Sequence, residues 1–181
     1  MTGLSLRILE AALKTYTSKP PQNVSIDEIA REAGVSKGTV FYHFKNKREF
    51  ERCVFIYSIE KYFSWAYDEL ERKETEALKR TIKKSLKIAK ENPRLMIFWY
   101  YVLEKELFSG DTEFAHKLYS QWFGLLSSLL KDMGVEKPEQ TAIVLMAMLD
   151  GISIYSLFIP DLDIDEIGDL ILEFVKGRCK R

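Results

Sequence analysis

Hydrophobic residues recur every three or four positions along almost the whole chain, which is the spacing of one buried face of an α-helix. No run of alternating apolar and polar residues predicts a β-strand. Proline, glycine and capping residues divide the pattern into nine segments. The predicted helices cover about 4–17, 25–33, 37–44, 47–71, 74–91, 93–108, 111–133, 138–159 and 163–178. The sequence therefore predicts an all-α protein of about nine helices.

Four of these helices begin with a residue whose side chain can accept a hydrogen bond from a free backbone N–H group. These residues are Ser25, Ser36, Asn46 and Asp163, and Glu28, Glu49 and Glu166 stand three positions after the first, third and fourth. Serine followed three residues later by glutamate predicts a capping box, in which the two side chains satisfy each other's backbone amides.

Residues 25–44 have the pattern of a helix-turn-helix. Two short helices are separated by a tight turn, and Gly34 stands where a left-handed backbone conformation is needed. Val40, Phe41 and Phe44 are predicted to pack on the two preceding helices. The N-terminus of the second helix carries a partial positive charge and unpaired N–H groups, so it favours phosphate.

Composition restricts the other function classes. The 27 basic and 27 acidic residues cancel, but residues 1–50 contain eight basic and five acidic side chains and are mildly basic. The two cysteines and two histidines match neither a metal-binding spacing nor a hydrolytic triad, so we predict no catalytic residues, no metal and no cofactor. The most apolar stretch, about 141–159, is interrupted by Asp150 and by small polar residues, which indicates a buried helix rather than a membrane span. No signal peptide is visible, so we expect a cytoplasmic protein without a membrane partner.

The polar residues of the 25–47 segment are typical of contacts to double-stranded DNA. Lys37 can reach guanine acceptors, Thr39 can meet a thymine methyl group or a phosphate, and Gly38 leaves room for the duplex. The remaining polar side chains suit phosphate oxygens. The predicted DNA-binding residues are Ser25, Ser36, Lys37, Gly38, Thr39, Tyr42, His43 and Lys47. A helix-turn-helix that serves only as a scaffold has the same outline.

The stretch "VSIDEIAREAGVSKGTVFYHFKNKREF" closely resembles the DNA-binding segment of the TetR/AcrR family of transcriptional regulators. The matching positions are Val24, Ser25, Ile29, Ala30, Ala33, Gly34, Val35, Ser36, Gly38, Val40, Phe41, Tyr42, His43, Phe44 and Lys47. "RILEAAL" at 7–13 resembles the first helix of that family, and the segment from "LDGISIY" to "LEFV" is weakly similar to its last two helices. Phe41 stands where the family most often has tyrosine, and "TSKPPQN" replaces the usual turn between the first two helices.

The resemblance implies a DNA-binding domain at 1–47, linked through the fourth helix at 47–71 to a ligand-binding and dimerisation domain at 48–181. It also implies a pocket among the fourth to eighth helices, where aromatic residues are frequent. The candidate lining residues are Tyr62, Phe63, Trp65, Phe98, Trp99, Tyr101, Trp122, Phe123, Met146 and Leu149. For any single one of these aromatic residues, simple core packing is the more common explanation. "LMIFWYYVL" at 95–103 contains no charge, which favours a neutral or cationic apolar effector or an acyl chain, as on coenzyme A.

The last two helices carry more apolar residues than one small bundle needs, which predicts an interface between two copies of the chain. Its candidate residues are Ala147, Ile154, Ile167, Leu170, Ile171 and Phe174. The sequence as a whole predicts a homodimeric regulator, most simply a repressor released from a palindromic operator by an effector. An all-α lipid or small-molecule carrier and a ligand-independent regulator with a solid aromatic core are the alternatives.

Overall fold

The computed structural model describes residues 3–72 and 74–179, and nearly all of them are helical or in short turns. Nine α-helices occur in these two ranges, which confirms the all-α prediction. Their bounds are α1 Gly3–Tyr16, α2 Ile26–Glu32, α3 Lys37–His43, α4 Lys47–Glu71, α5 Thr75–Glu91, α6 Pro93–Phe108, α7 Glu113–Asp132, α8 Pro138–Tyr155 and α9 Ile164–Lys176. Within the same ranges, the only β-type pairing is an isolated bridge between Val135 and Cys179.

The four predicted N-terminal caps are confirmed by hydrogen bonds. The Ser25 hydroxyl accepts from the Glu28 amide, and the Glu28 carboxylate accepts from the Ser25 amide, so the capping box is complete. Ser36 Oγ accepts from the Thr39 amide at 3.0 Å. Asn46 caps α4 and Asp163 caps α9 in the same way. These caps depend on residues three positions apart, which is why the sequence reveals them.

Two details differ from the sequence pattern. "PPQN" forms a short 3₁₀-helix at Pro21–Asn23, where only a break was expected. Helix α8 stops at Tyr155 rather than near residue 159, because the amides of Leu157 and Phe158 bond to carbonyls three residues back and tighten the chain into turns before Pro160.

The described chain divides into two compact units. The first runs to Tyr62 and includes Arg94–Gly110; the second comprises Phe63–Pro93 and the chain from Asp111 onward. The division falls inside α4. These units are defined by contacts and not by function, so the proposed boundary between residues 47 and 48 stays a prediction.

In the first unit, α1, α2 and α3 pack around fully buried aliphatic residues. Ile8, Leu9, Ile29 and Val40 have no exposed surface. The turn between α2 and α3 passes through Gly34 at φ +63°, the left-handed conformation that the sequence predicted there. The turn at Gly34 and the side-chain caps at Ser25 and Ser36 therefore fix the position of α3 in the first unit.

In the second unit, α5, α7, α8 and α9 enclose one apolar core together with the C-terminal part of α4. It consists of Leu70, Leu78, Ile82, Leu86, Leu126, Leu129, Leu130, Val135, Ala142, Leu145, Ile171, Leu172 and Val175. On one side of it, Lys83 crosses Gly168 to reach Asp169, with Nζ and Oδ2 2.8 Å apart. A side chain at Gly168 would come within 2.8 Å of the Lys83 Cγ, so the close approach of α5 and α9 requires glycine.

Candidate nucleic-acid interface

The N-terminal end of α3 is open to solvent. Lys37 has 53% of its side chain exposed, Gly38 is exposed, and Tyr42 one turn later is 86% exposed. Ser36 and Thr39 hold each other through a 2.8 Å contact between their hydroxyl oxygens. These five predicted residues therefore form one polar, accessible surface, which we call the α3 surface.

Gly38 has no structural requirement for being glycine. A methyl group placed there would lie 3.6 Å from the nearest protein atom, Ser36 Oγ, and the backbone is not left-handed. Glycine within a helix costs about 1 kcal/mol relative to alanine. No contact inside the fold therefore requires glycine at this position, and the α3 backbone is left uncovered there.

Besides Ser36, which caps α3, three of the predicted DNA-binding residues have roles inside the fold. Ser25 uses both its hydroxyl and its amide in the capping box with Glu28. His43 is half-buried, with Nδ1 3.2 Å from Ser5 Oγ. Lys47 donates from Nζ to the Val24 carbonyl at 3.1 Å. Their contacts with phosphate stay predictions.

Phe41 was predicted to pack with Val40 and Phe44, and this was wrong for Phe41. Val40 is fully buried and Phe44 is 5% exposed, whereas Phe41 is 36% exposed. Residues four apart share a helix face, but the residue next to Val40 is rotated by about 100° away from it. Phe41 therefore lies at the edge of the α3 surface and is available to a partner.

Two acidic residues near the N-terminus of α2 bind lysines that the sequence did not pair with them. Asp27 was not predicted, yet its Oδ2 accepts from Lys37 Nζ at 2.8 Å. Glu28 was named only as a cap, yet it also binds Lys19 at 2.5 Å; the hydrogen bonds from Lys19 and Ser25 lower its pKa to about 2. The sequence feature that could have indicated Asp27 is its position in the first turn of α2, the helix that precedes α3 in the helix-turn-helix.

In the first unit, two buried carboxylates join α4 and α6. Glu106 on α6 is 1% exposed and accepts from both Arg48 and Arg52. Burial raises the pKa of Glu106, but the hydrogen bonds and charges of the two arginines outweigh it and lower the pKa to about 2.

The second carboxylate, Glu51 on α4, is 2% exposed. It accepts from Tyr16 of α1 at 3.0 Å, from Tyr101 of α6 at 3.2 Å and from Lys105. Burial, together with the negative charge of Glu51, raises the pKa of Tyr16. The sequence did not reveal either network, because the partners lie on different helices and are separated by 35 to 58 residues along the chain.

The ten predicted effector-binding residues fall in both units, so each group is described separately. In the first unit, Phe98 is fully buried and stacks on Tyr16 with ring centroids 4.7 Å apart, and Trp99 donates to Ser58 Oγ at 2.7 Å. Tyr101 binds Glu51, and Tyr62 is half-buried. Phe98 is thus a core residue; the roles of the others toward an effector stay predictions.

In the second unit, the predicted effector residues are half-buried and several touch. Phe63 stacks on Trp65 and meets Trp122 edge-on, and Tyr67 stacks on Trp122 with centroids 4.5 Å apart. Lys84 Nζ lies 3.8 Å above the Trp65 ring. Phe123, Met146 and Leu149 border the apolar core. We call Phe63, Trp65, Tyr67 and Trp122 the aromatic cluster.

The predicted dimer residues are also in the second unit. Leu170 is 55% exposed and Ile154 is 41% exposed, while Ile171 is only 5% exposed and lies in the core. Ala147 is exposed, and Ile167 and Phe174 are half-buried. Further exposed apolar residues lie on α8 or directly after it in the chain: Ile143, Val144, Tyr155, Phe158 and Ile159. Ile171 therefore exposes little surface to a partner, and for the other five residues the predicted interface role stays a prediction.

Neither a metal site nor a membrane span is found in the described part of the chain. No group of three histidine, cysteine, aspartate or glutamate residues in it could hold a metal ion. None of its helices is both long and apolar enough to cross a bilayer.

Sequence comparison with known proteins finds similarity within the first unit. Residues 8–50 match the family model described as bacterial regulatory proteins, tetR family. Over 48 residues the chain is 40% identical to the HTH-type transcriptional regulator SrpR of Pseudomonas putida, and over 42 residues it is 38% identical to the HTH-type transcriptional regulator AcrR of Shigella flexneri. These alignments cover 26% and 23% of this chain, and 22% and 20% of the two relatives. The sequence similarity thus spans about a fifth of each relative.

Solved structures extend the likeness to the whole fold. A TetR transcription regulator from Haloarcula marismortui has a TM-score of 0.81 at 17% identity, covering 99% of this chain and 100% of that one. The transcriptional regulator FadR from Bacillus subtilis, solved in complex with stearoyl-CoA, has a TM-score of 0.74 at 17% identity, covering 97% and 99%. At this identity the likeness concerns the fold alone.

Proposed function

We propose that this chain, whose residues 8–50 match the tetR family of bacterial regulatory proteins, acts as a homodimeric repressor in the cytoplasm, released from a palindromic operator by an apolar effector. The observation that carries the proposal is the α3 surface. A helix N-terminus capped by Ser36, with an exposed lysine, a glycine that the fold does not require and an exposed tyrosine, suits a DNA major groove.

The DNA-binding part of the proposal is tested by selection from a pool of random duplexes, followed by a salt titration on the enriched sequence. We expect the logarithm of the association constant to fall linearly with the logarithm of salt concentration, with a slope of about −0.9 per phosphate neutralised. The enriched sequence should contain the same half-site twice, in inverted orientation. Enrichment of no sequence, or affinity that does not change with salt, would reject DNA binding and favour the carrier.

A second expected result concerns Gly38. Replacing it with alanine should leave thermal stability unchanged or raise it by up to about 1 kcal/mol, because alanine favours the helix and meets no protein atom. The same change should weaken binding to the enriched duplex, since the methyl group projects from the α3 surface. Thermal unfolding and a mobility-shift assay on the same preparation separate the two effects. Unchanged DNA affinity would show that no molecule approaches Gly38 closely.

Dimerisation is proposed for the exposed apolar face of α8 and α9. A charged group at its centre would be desolvated in an interface, so we expect Leu170→Asp to convert the dimer into a monomer. Leu170 is 55% exposed, so the isolated chain should keep its fold. Sedimentation velocity measures the mass. Asp161→Asn, on an exposed residue outside α8 and α9, is a control; a wild-type monomer at micromolar concentration would contradict the proposal.

The effector is proposed to be an apolar small molecule or the acyl chain of a coenzyme A thioester. Supporting observations are the half-buried aromatic cluster of the second unit and the likeness in fold to FadR, which was solved with stearoyl-CoA. Mass spectrometry of gently purified protein would reveal a bound molecule. Adding that molecule should release the enriched duplex; retention of the duplex would favour a ligand-independent regulator.

A further inference from the structure

An ion pair joins the first turns of the two helix-turn-helix helices. Lys37, the first residue of α3, donates from Nζ to Oδ2 of Asp27 at 2.8 Å. The side chains are 53% and 58% exposed, so the pair is on the surface. Exposed ion pairs contribute little to folding because water competes for both charges. The pair is therefore poorly explained by stability.

A carboxylate is also an unexpected neighbour for DNA. Phosphates repel it, and the loss is not recovered unless the carboxylate meets a hydrogen-bond donor. In the major groove, the bases offer two such donors: the N4 amino group of cytosine and the N6 amino group of adenine. Asp27 beside the α3 surface therefore lowers affinity for DNA in general and can raise it only where one of these amino groups is present.

Asp27 and Lys37 together present a donor and an acceptor side by side. On the major-groove edge of a G·C pair, the O6 acceptor of guanine is next to the N4 donor of cytosine, and guanine adds a second acceptor at N7. A T·A pair has the same neighbouring acceptor and donor, but the thymine methyl group lies where guanine has N7. The ammonium group of Lys37 therefore finds two acceptors on guanine and only one on thymine.

The hydrogen-bonding capacities allow all the contacts at once. A lysine ammonium has three N–H groups, of which one is used by Asp27, and two remain for O6 and N7. A carboxylate has about four lone-pair sites, so Asp27 can accept from Lys37 and from an amino group together. The ion pair need not break when DNA binds.

We propose that Asp27 is a specificity-determining residue, which with Lys37 reads one G·C pair in each half-site. Lys37 donates to O6 and N7 of guanine, and Asp27 accepts from the N4 amino group of the paired cytosine. The inference rests on the proposed DNA binding and goes beyond it by assigning a base pair and an orientation.

The first experiment selects DNA from a random pool with full-length wild type, Asp27→Ala and the control Glu32→Ala. Glu32 is on the same helix, is exposed, and pairs with Lys14 at 2.5 Å, so the two variants remove the same charge from similar surroundings. Both should bind DNA in general more tightly. Wild type and Glu32→Ala should enrich one oriented G·C pair, and Asp27→Ala should lower the preference for G·C over C·G by ~10-fold, while the preference over T·A, which depends on guanine N7, should remain.

The second experiment replaces the cytosine of that pair with its analogue lacking the 4-amino group. Wild type should lose ~10-fold in affinity, and Asp27→Ala should lose nothing, because the contact is already absent. Asp27→Asn, which keeps the size of the side chain but adds a donor, should also lose the cytosine preference. Thermal unfolding of each variant checks the fold.

Three outcomes decide the matter. Equal losses on the analogue for wild type and Asp27→Ala, or an unchanged selected sequence, would overturn the role of Asp27 while leaving DNA binding intact. A relaxed G·C preference in Glu32→Ala as well would show a general charge effect and would also overturn it. Enrichment of no sequence by wild type rejects the proposed function itself, and this inference with it.

Discussion

Glu106→Ala is expected to lower the free energy of unfolding by about 2–4 kcal/mol. Removing one partner of a buried ion pair leaves the other charge without compensation. Here two guanidinium groups, of Arg48 and Arg52, would lose a carboxylate that is 1% exposed. The arginines are 40% and 25% exposed, so water compensates in part and the cost falls below that of a fully buried pair. Urea unfolding at neutral pH measures it.

The effect of Glu106 should depend on pH in a defined direction. Its pKa in the folded protein is about 2, below its ordinary value of 4.5. A carboxyl group whose pKa is depressed by folding stabilises the protein above the unfolded pKa and loses that contribution as pH falls through the folded pKa. The difference between wild type and Glu106→Ala should therefore be constant above about pH 4.5 and shrink between 4.5 and 2.

The matched control is Glu104→Ala, on the same helix and with the same change in charge. Glu104 is exposed, so its loss should change stability by no more than about 0.5 kcal/mol. A loss of under 1 kcal/mol for Glu106→Ala, or a difference that does not diminish in acid, would show that the two arginines find other partners.

The double variant Lys37→Ala, Thr39→Ala is expected to lose about 100-fold or more in affinity for the selected duplex. Each base-edge contact discriminates by about 1–3 kcal/mol, and the two residues share the first turn of α3. Affinity for unrelated DNA should fall much less, because it depends on phosphate contacts. A mobility-shift titration with both duplexes measures the ratio.

Two controls accompany that measurement. Lys14→Ala removes the same charge from a lysine that is 75% exposed on α1, and it should change both affinities slightly and equally. Circular dichroism should show the helix content of the double variant unchanged, since Lys37 is on the surface. Binding of the selected duplex at wild-type strength would exclude α3 as the recognition helix.

The sequence predicted those features that depend on near neighbours in the chain. The caps at Ser25 and Ser36 and the left-handed Gly34 follow from residue type and spacing within a few positions. The existence of the nine α-helices follows from periodicity, and the differences are the end of α8 at Tyr155 and the short 3₁₀-helix at Pro21–Asn23. The exposed side of α3 was also predicted, because one face of a short helix must be polar when the other is buried.

Contacts between distant segments were not predictable in the same way. Nothing in the local pattern pairs Glu106 with Arg48 and Arg52, because 54 to 58 residues separate them. Asp27 and Lys37 are ten residues apart, but their contact depends on the angle at which the turn holds the two helices. Phe41 was misjudged because hydrophobicity predicts burial on average, and the rotation of one residue decides the individual case.

The aromatic cluster has a spectroscopic consequence. The chain has three tryptophans, Trp65, Trp99 and Trp122, and none lies within residues 1–47. Trp65 lies under the ammonium of Lys84, Trp122 is stacked on Tyr67, and Trp99 is hydrogen-bonded to Ser58, so each indole has a distinct surrounding. Tryptophan emission should therefore report changes around α4, α6 and α7. Binding of the proposed effector near these indoles should therefore change the emission of the protein without an added label.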